Sequence, residues 1–84
     1  MRLIWSNKSW EEYIEWQSRD KKVLKKINDL IKDIKRDPFV GIGKPEPLKY
    51  ELAGCWSRRI TDEHRLVYIV EDDSISIVSC RYHY

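Results

Sequence analysis

Eighty-four residues with a formal net charge of +2 suffice for one small unit, and residues 1–84 are expected to fold as a single domain. A chain this short buries only about 60–65% of the surface its unfolded form exposes, so its core must be small and efficient. A composition of 42% hydrophobic and 12% aromatic residues excludes disorder and collagen-like repeats, while the lack of any apolar run near the roughly 20 residues of a membrane span, or of a signal-peptide core after Met1, predicts a cytoplasmic protein with no membrane role.

Arg2-Leu3-Ile4-Trp5 is a short apolar run that predicts a strand. Ser6 or Ser9 can cap the helix that follows, and Ser9-Trp10-Glu11-Glu12 has capping-box spacing. Trp10, Tyr13, Ile14 and Gln17 trace one face of this first helix. Asp20 caps a second helix whose apolar stripe is Val23, Leu24, Ile27, Leu30, Ile31 and Ile34. Lys22, Lys25, Lys26, Lys32 and Arg36 fall on its outer side, and Pro38 ends it. Residues 38 to 47 hold all three prolines and two of the three glycines, which predicts a loop. Thereafter the period changes to two. Leu48, Tyr50 and Leu52 alternate with Lys49 and Glu51; Trp56, Arg58 and Ile60 alternate with Ser57, Arg59 and Thr61. Longer strands are expected from His64 to Glu71 and from Ile75 to Tyr82, joined by a turn at Asp72-Asp73. The order predicts an α+β fold: a small antiparallel sheet with two N-terminal helices packed on one face.

Cys55 and Cys80 lack CxxC spacing and form no tetrahedral set with His64 and His83, so free thiols and no metal or cofactor are expected. Charge is uneven along the chain. Ten of the 16 basic residues precede position 37, against six of the 14 acids, so that part nets +4 and suggests a cationic face for a polyanion. A solvated helix face is the ordinary alternative.

Aliphatic stripes are explained by stability alone; four features of the C-terminal half are not. Glu46 lies between Pro45 and Pro47, which restrict the backbone around its carboxylate. Arg58, Arg59 and Arg65 sit in or beside strands, where branched apolar residues are favoured. Arg65 shares parity with Val67 and Ile69, and the chain runs out through Arg81-Tyr82-His83-Tyr84. Each has an ordinary reading too: a loop acid, edge charges that block aggregation, a fraying terminus. His64 reads as a structural histidine, and Tyr82 and Trp56 read as core residues.

Taken together these groups match one chemistry. Cleaving RNA without a metal needs a base to remove the 2′-hydroxyl proton and an acid to protonate the departing 5′-oxygen. Guanidinium groups suit the phosphorane between those steps, because their fork matches phosphate oxygens. A ring can stack on a neighbouring base and hold the phosphate in line. Glu46 could serve as base, Arg65 and Arg59 as charge stabilisers, His83 as acid and Tyr84 as stacking ring.

Gly43-Lys44-Pro45-Glu46-Pro47-Leu48-Lys49, then Trp56-Ser57-Arg58-Arg59-Ile60-Thr61 with Glu63-His64-Arg65-Leu66-Val67-Tyr68, then the last four residues, closely resemble the YoeB/Txe family of toxins within the RelE superfamily of messenger-RNA interferases. The resemblance runs over essentially the whole chain. It implies a microbial-ribonuclease-like fold that cuts messenger RNA in the ribosomal decoding site. It implies Glu46 as general base, Arg65 as transition-state stabiliser, His83 as general acid and Tyr84 as the residue that orients the substrate base. Lys49, Arg59 and Glu63 would bind phosphate or orient those groups. The implied partner is a YefM-type antitoxin, through which alone the complex would contact operator DNA and repress its own operon. Toxin pairing into a homodimer is left open. Two alternatives stand beside this reading: a ribosome-independent ribonuclease and a non-catalytic corepressor.

Overall fold

The computed structural model describes residues 1–82. Strand β1 (Arg2–Trp5) leads into helices α1 (Asn7–Arg19) and α2 (Lys21–Arg36). After a loop come β2 (Glu46–Pro47), a 3₁₀ turn at Tyr50–Leu52, β3 (Trp56–Arg59), β4 (Arg65–Glu71) and β5 (Ser74–Ser79). The strands form one sheet in the order β1-β5-β4-β3-β2.

The helices begin and end where side chains can satisfy their terminal groups. Ser6 caps α1 by accepting the Ser9 N–H at 3.0 Å. Asp20 serves both helices: its N–H closes α1 on the Trp16 carbonyl at 3.0 Å, and its carboxylate accepts the Lys22 and Val23 amides at 3.0 and 3.2 Å. No linker is spent between the helices. Helix α2 stops at Asp37, one residue before Pro38, as expected.

The α2 stripe is core: Val23, Ile27, Leu30, Ile31 and Ile34 are buried against Leu66, Tyr68, Ile75 and Ile77 of the sheet. Each such side chain contributes about 1.5–3 kcal/mol on burial, and truncating the fully enclosed Leu30 to alanine would cost about 2–5 kcal/mol. On α1 the buried positions are Ser9 and Trp16, whereas Trp10 is 47% exposed and Ile14 is exposed as well. The expected face of α1 is therefore rotated. Ser9 faces inward because its hydroxyl donates to the Ile77 carbonyl at 2.8 Å.

Both helices lie on one side of the sheet, in the expected α+β arrangement. Strands β2 to β5 pair antiparallel, but β1 runs parallel to β5, with Leu3 opposite Ile75, so the sheet is mixed. The start of α1 explains that direction, since Ser6 and Ser9 bond to the Ile77 and Val78 carbonyls. Residues 48–52, expected as alternating strand, instead turn. Tyr50 has φ 58° and is 92% exposed, and the Leu48 N–H closes on the Cys55 carbonyl at 2.9 Å. This excursion roofs the other face of the sheet, packing Leu48, Leu52 and Cys55 on Val67, Ile69 and Val78.

Candidate active site

Strand β3 alternates its side chains between the two sheet faces, and this separates its two arginines. Arg58 lies opposite Leu66, on the helix side, and is completely buried. Its guanidinium donates to the Asp33 carboxylate, to the Asp37 carbonyl at 2.7 Å, to the Ile42 carbonyl at 3.1 Å and to the Tyr68 hydroxyl at 3.2 Å. Tyr68 in turn donates to the Pro38 carbonyl at 2.7 Å. Asp33 also accepts the Ile42 amide and the Arg36 side chain, and the Arg58 bond, with these two, lowers its pKa to about 2. Arg58 is thus neither an edge charge nor part of an open surface. It is the post around which residues 37–43 wrap.

That loop sets where Glu46 stands. The Arg59 amide donates to the Gly43 carbonyl at 2.7 Å, Lys44 turns the chain at φ 51°, and Glu46 then pairs with Ser57 as strand β2. Across β3 and β4, Arg59 lies directly opposite Arg65. Glu46, Ser57, Arg59 and Arg65 therefore share the sheet face turned away from the helices. Glu46 and Arg59 form a diagonal pair, about 7–8 Å apart by ladder geometry, and Arg59 and Arg65 an opposed pair about 5 Å apart. Lys49 stands at the residue before the 3₁₀ turn and, with Glu46, Pro47, Leu48 and Tyr50, lines a hollow of about 320 Å³. Arg65 is held at its turn: its Nη1 donates to the carbonyls of Thr61 at 2.7 Å, His64 at 3.1 Å and Asp62 at 3.3 Å.

Glu63 is placed differently. It sits in the turn before β4 and borders a second hollow, of about 370 Å³, shared with Trp16, Arg19, His64, Arg81 and Tyr82. Its carboxylate lies 3.8 Å from Nε2 of His64. His64 itself is buried at 9% exposure, edge-on to the Trp16 ring, and its Nδ1 accepts the Tyr82 amide at 2.8 Å. Its partners are those of a structural histidine.

The chain leaves β5 at Ser79 and is then gripped by side chains. Glu12 accepts the Cys80 N–H at 2.8 Å, and the Trp16 indole donates to the Cys80 carbonyl at 2.9 Å. The Arg81 guanidinium bonds Glu15 at 3.1 Å and lies over the Trp16 and Tyr82 rings. The Tyr82 carbonyl accepts the Arg65 amide at 3.1 Å. Tyr82, expected in the core and in strand, is half-exposed at φ 62°; its backbone rather than its ring is what the fold holds. Trp56 is half-buried, against Phe39. His83 and Tyr84, the expected acid and stacking ring, lie outside the described residues.

Trp16 and Asp33 were not singled out in the sequence, and Glu12 only as the end of a capping box, yet these side chains hold the Cys80 backbone and the Arg58 guanidinium that position the candidate site. Their signal is faint: a glutamate on the inner flank of α1 and an aspartate one residue from the α2 stripe. Both cysteines are free and buried, and burial, reinforced by Glu12, pushes the Cys80 thiol up to about 12. Among the described residues no helix is long and apolar enough to cross a membrane, and no group of three or more His, Cys, Asp or Glu side chains could hold a metal ion.

Residues 5–84 match the family described as YoeB-like toxin of bacterial type II toxin-antitoxin system. The chain is 66% identical to Toxin YoeB of Escherichia coli strain K12 over 84 residues, 100% of this chain and 100% of that relative. Its structure is similar to a YoeB/ParE toxin from Agrobacterium tumefaciens, with a TM-score of 0.97, 52% identity and complete coverage of both chains. Staphylococcus aureus relatives, 52% identical and covering 100% of this chain and 98% of theirs, are solved as a YoeB dimer and as a heterotetrameric YoeB-YefM complex, with TM-scores of 0.93 and 0.92.

Proposed function

The chain belongs to the YoeB-like toxin family of bacterial type II toxin-antitoxin systems, and on that footing we propose that it is an endoribonuclease that cuts messenger RNA in the decoding site of the ribosome without a metal. One observation supports this reading most: an exposed carboxylate, Glu46, shares a sheet face with two arginines, and the backbone of Tyr82 is bonded to one of them, Arg65, just before His83 in the chain.

In this reading Glu46 takes the proton of a ribose 2′-hydroxyl. The 2′-oxygen forms a bond to the adjacent phosphorus, and the phosphorus–O5′ bond breaks as His83 gives a proton to the departing oxygen. Arg65, with Arg59 behind it, stabilises the extra negative charge on phosphorus. Lys49 beside Glu46 binds the neighbouring phosphate, Glu63 orients the terminal imidazole, and Tyr84 stacks on the base. The products are a 2′,3′-cyclic phosphate or 3′-phosphate and a 5′-hydroxyl.

The outer face of α2 serves docking. Lys22, Lys25, Lys32 and Lys35 are exposed, and each phosphate such groups neutralise releases counterions, so attachment to ribosomal RNA is expected to weaken with salt. A net charge of +2 is low for a free nucleic-acid binder and suits an enzyme that leaves substrate positioning to the ribosome, in the cytoplasm. We extend to this chain the assemblies of its relatives: a YefM-type antitoxin that covers the site and carries the complex to operator DNA, and a toxin dimer.

Incubating the purified protein with naked RNA and with translating ribosomes tests the reading. Cutting only of translated message is expected, together with growth arrest on expression that Arg65→Ala relieves. Equal cutting of both substrates would overturn the ribosome requirement, and arrest that persists in the variant would detach toxicity from this site.

A further inference from the structure

We propose that His64 is a positioning residue: its Nδ1 holds the Tyr82 amide and so fixes the point beside Arg65 at which the chain passes to His83, an assignment that rests on the ribonuclease reading above.

The ladder of β5 ends at Ser79, and from there the backbone leaves the sheet, meeting it again where the Arg65 amide of β4 donates to the Tyr82 carbonyl. Yet its polar groups are answered one after another. Cys80 is held by Glu12 and Trp16 on its two sides, and Tyr82 by His64 on its N–H and by Arg65 on its carbonyl. Residues 64 and 65 thus grip both polar groups of the same residue. The Tyr82 backbone is held at φ 62°, a region that side chains other than glycine seldom occupy and that surrounding contacts must enforce.

Stability alone does not call for this. The Tyr82 side chain is half-exposed, and terminal segments ordinarily fray unless tied down. The tie is unusual in kind, because an imidazole accepts from a main-chain amide only through an unprotonated nitrogen. Nδ1 must be that nitrogen, so the proton of the neutral ring belongs on Nε2, the atom facing Glu63. Trp16 backs the ring edge-on at 4.8 Å and keeps it from swinging away. A reacting group misplaced by about 1 Å can lose 10²-fold in rate, so a point of exit held on both polar groups has a use in catalysis.

Two variants separate this role from packing. His64→Asn keeps an acceptor near the Nδ1 position, and His64→Leu fills the space without one. Turnover of translated message is expected to fall about 10²-fold in the leucine variant with KM nearly unchanged, and to recover largely in the asparagine variant. In the wild-type protein, labelled with ¹⁵N, a scalar coupling across the Tyr82 N–H to His64 Nδ1 bond is expected, with slow exchange of that amide. Loss of exchange protection should accompany loss of turnover in the leucine variant. Absence of the coupling in the folded wild type overturns the proposal whether or not any variant folds. Equal turnover in the leucine variant and the wild type, or equal loss in both variants, overturns it as well. Failure of the wild type to cut any message while the coupling is present would instead strike the ribonuclease reading, and with it the catalytic use of this contact.

Discussion

Arg59 and Arg65 stand directly opposite each other across the β3–β4 ladder. Like charges in opposed positions destabilise a sheet, where a β-branched or aromatic pair would add about 0.2–1 kcal/mol of stability. In the proposed function this pair serves the phosphate rather than the fold. Arg59→Thr is therefore expected to leave the melting temperature unchanged or slightly raised while cleavage falls by at least about 10-fold, as for loss of a charge-stabilising donor. Thermal melts and turnover on translating ribosomes measure the two halves; a destabilised but fully active variant would contradict the assignment.

Arg58 should behave in the opposite way. It is enclosed among Asp33, two carbonyls and the Tyr68 hydroxyl, so Arg58→Ala leaves several buried groups unsatisfied and should cost about 3–5 kcal/mol. Denaturant unfolding checks this. A loss under about 1 kcal/mol would mean that the loop does not depend on this guanidinium.

The same cluster predicts a pH response. The Arg58 bond holds the Asp33 pKa at about 2, below its ordinary 3.8. A carboxyl depressed on folding adds stability that is complete above its unfolded pKa and lost as pH falls through its folded one. The wild type should thus lose stability between about pH 4 and pH 2 in part through Asp33, and Asp33→Asn should flatten that limb while lowering stability at neutral pH. Unfolding curves for both proteins across this range decide it.

Gly43 sits at φ 79°, and a Cβ there would stand 2.7 Å from a Leu30 methyl carbon and 3.1 Å from the Arg59 carbonyl oxygen. Gly43→Ala combines a strained backbone with a push on the segment that leads to Glu46, so a loss of about 1–3 kcal/mol is expected together with reduced cleavage. Denaturant titration and turnover should change together. Full activity in the variant would show that Glu46 tolerates movement of its loop.

Much of this was legible in the sequence. The α2 stripe repeats at helical spacing with nothing polar inside it and could be read directly; the Pro- and Gly-rich stretch 38–47 marked the loop, but its last two residues, Glu46–Pro47, form strand β2, because pairing with Trp56 and Ser57 is a long-range contact that the local Pro and Gly content does not encode. Helix α1 could not. Ser9 and Glu12 turn inward to bond the Ile77 carbonyl and the Cys80 amide, so polar residues occupy its core side and shift the apparent apolar face. Arg58 defeated the reading for a related reason: its partners Asp33, Asp37 and Ile42 come from a helix end and a loop at least 16 positions away, and no local pattern encodes them. Leu48, Tyr50 and Leu52 alternate like a strand, but Tyr50 adopts φ 58° and the chain turns. Glu46, Arg59 and Arg65 stood out in the sequence because each is a charged group where the fold by itself would favour another residue, and the ladder registers put the three on one sheet face.

The most direct test places a single 2′-deoxyribose at the mapped cut site of a message under translation. The intact message should be cut there to leave a 2′,3′-cyclic phosphate or 3′-phosphate and a 5′-hydroxyl, with Glu46→Gln greatly slowed, and the deoxy message should survive. Cleavage of the deoxy message at the same place and rate would contradict attack by the ribose oxygen and, with it, the roles given to Glu46 and Arg65.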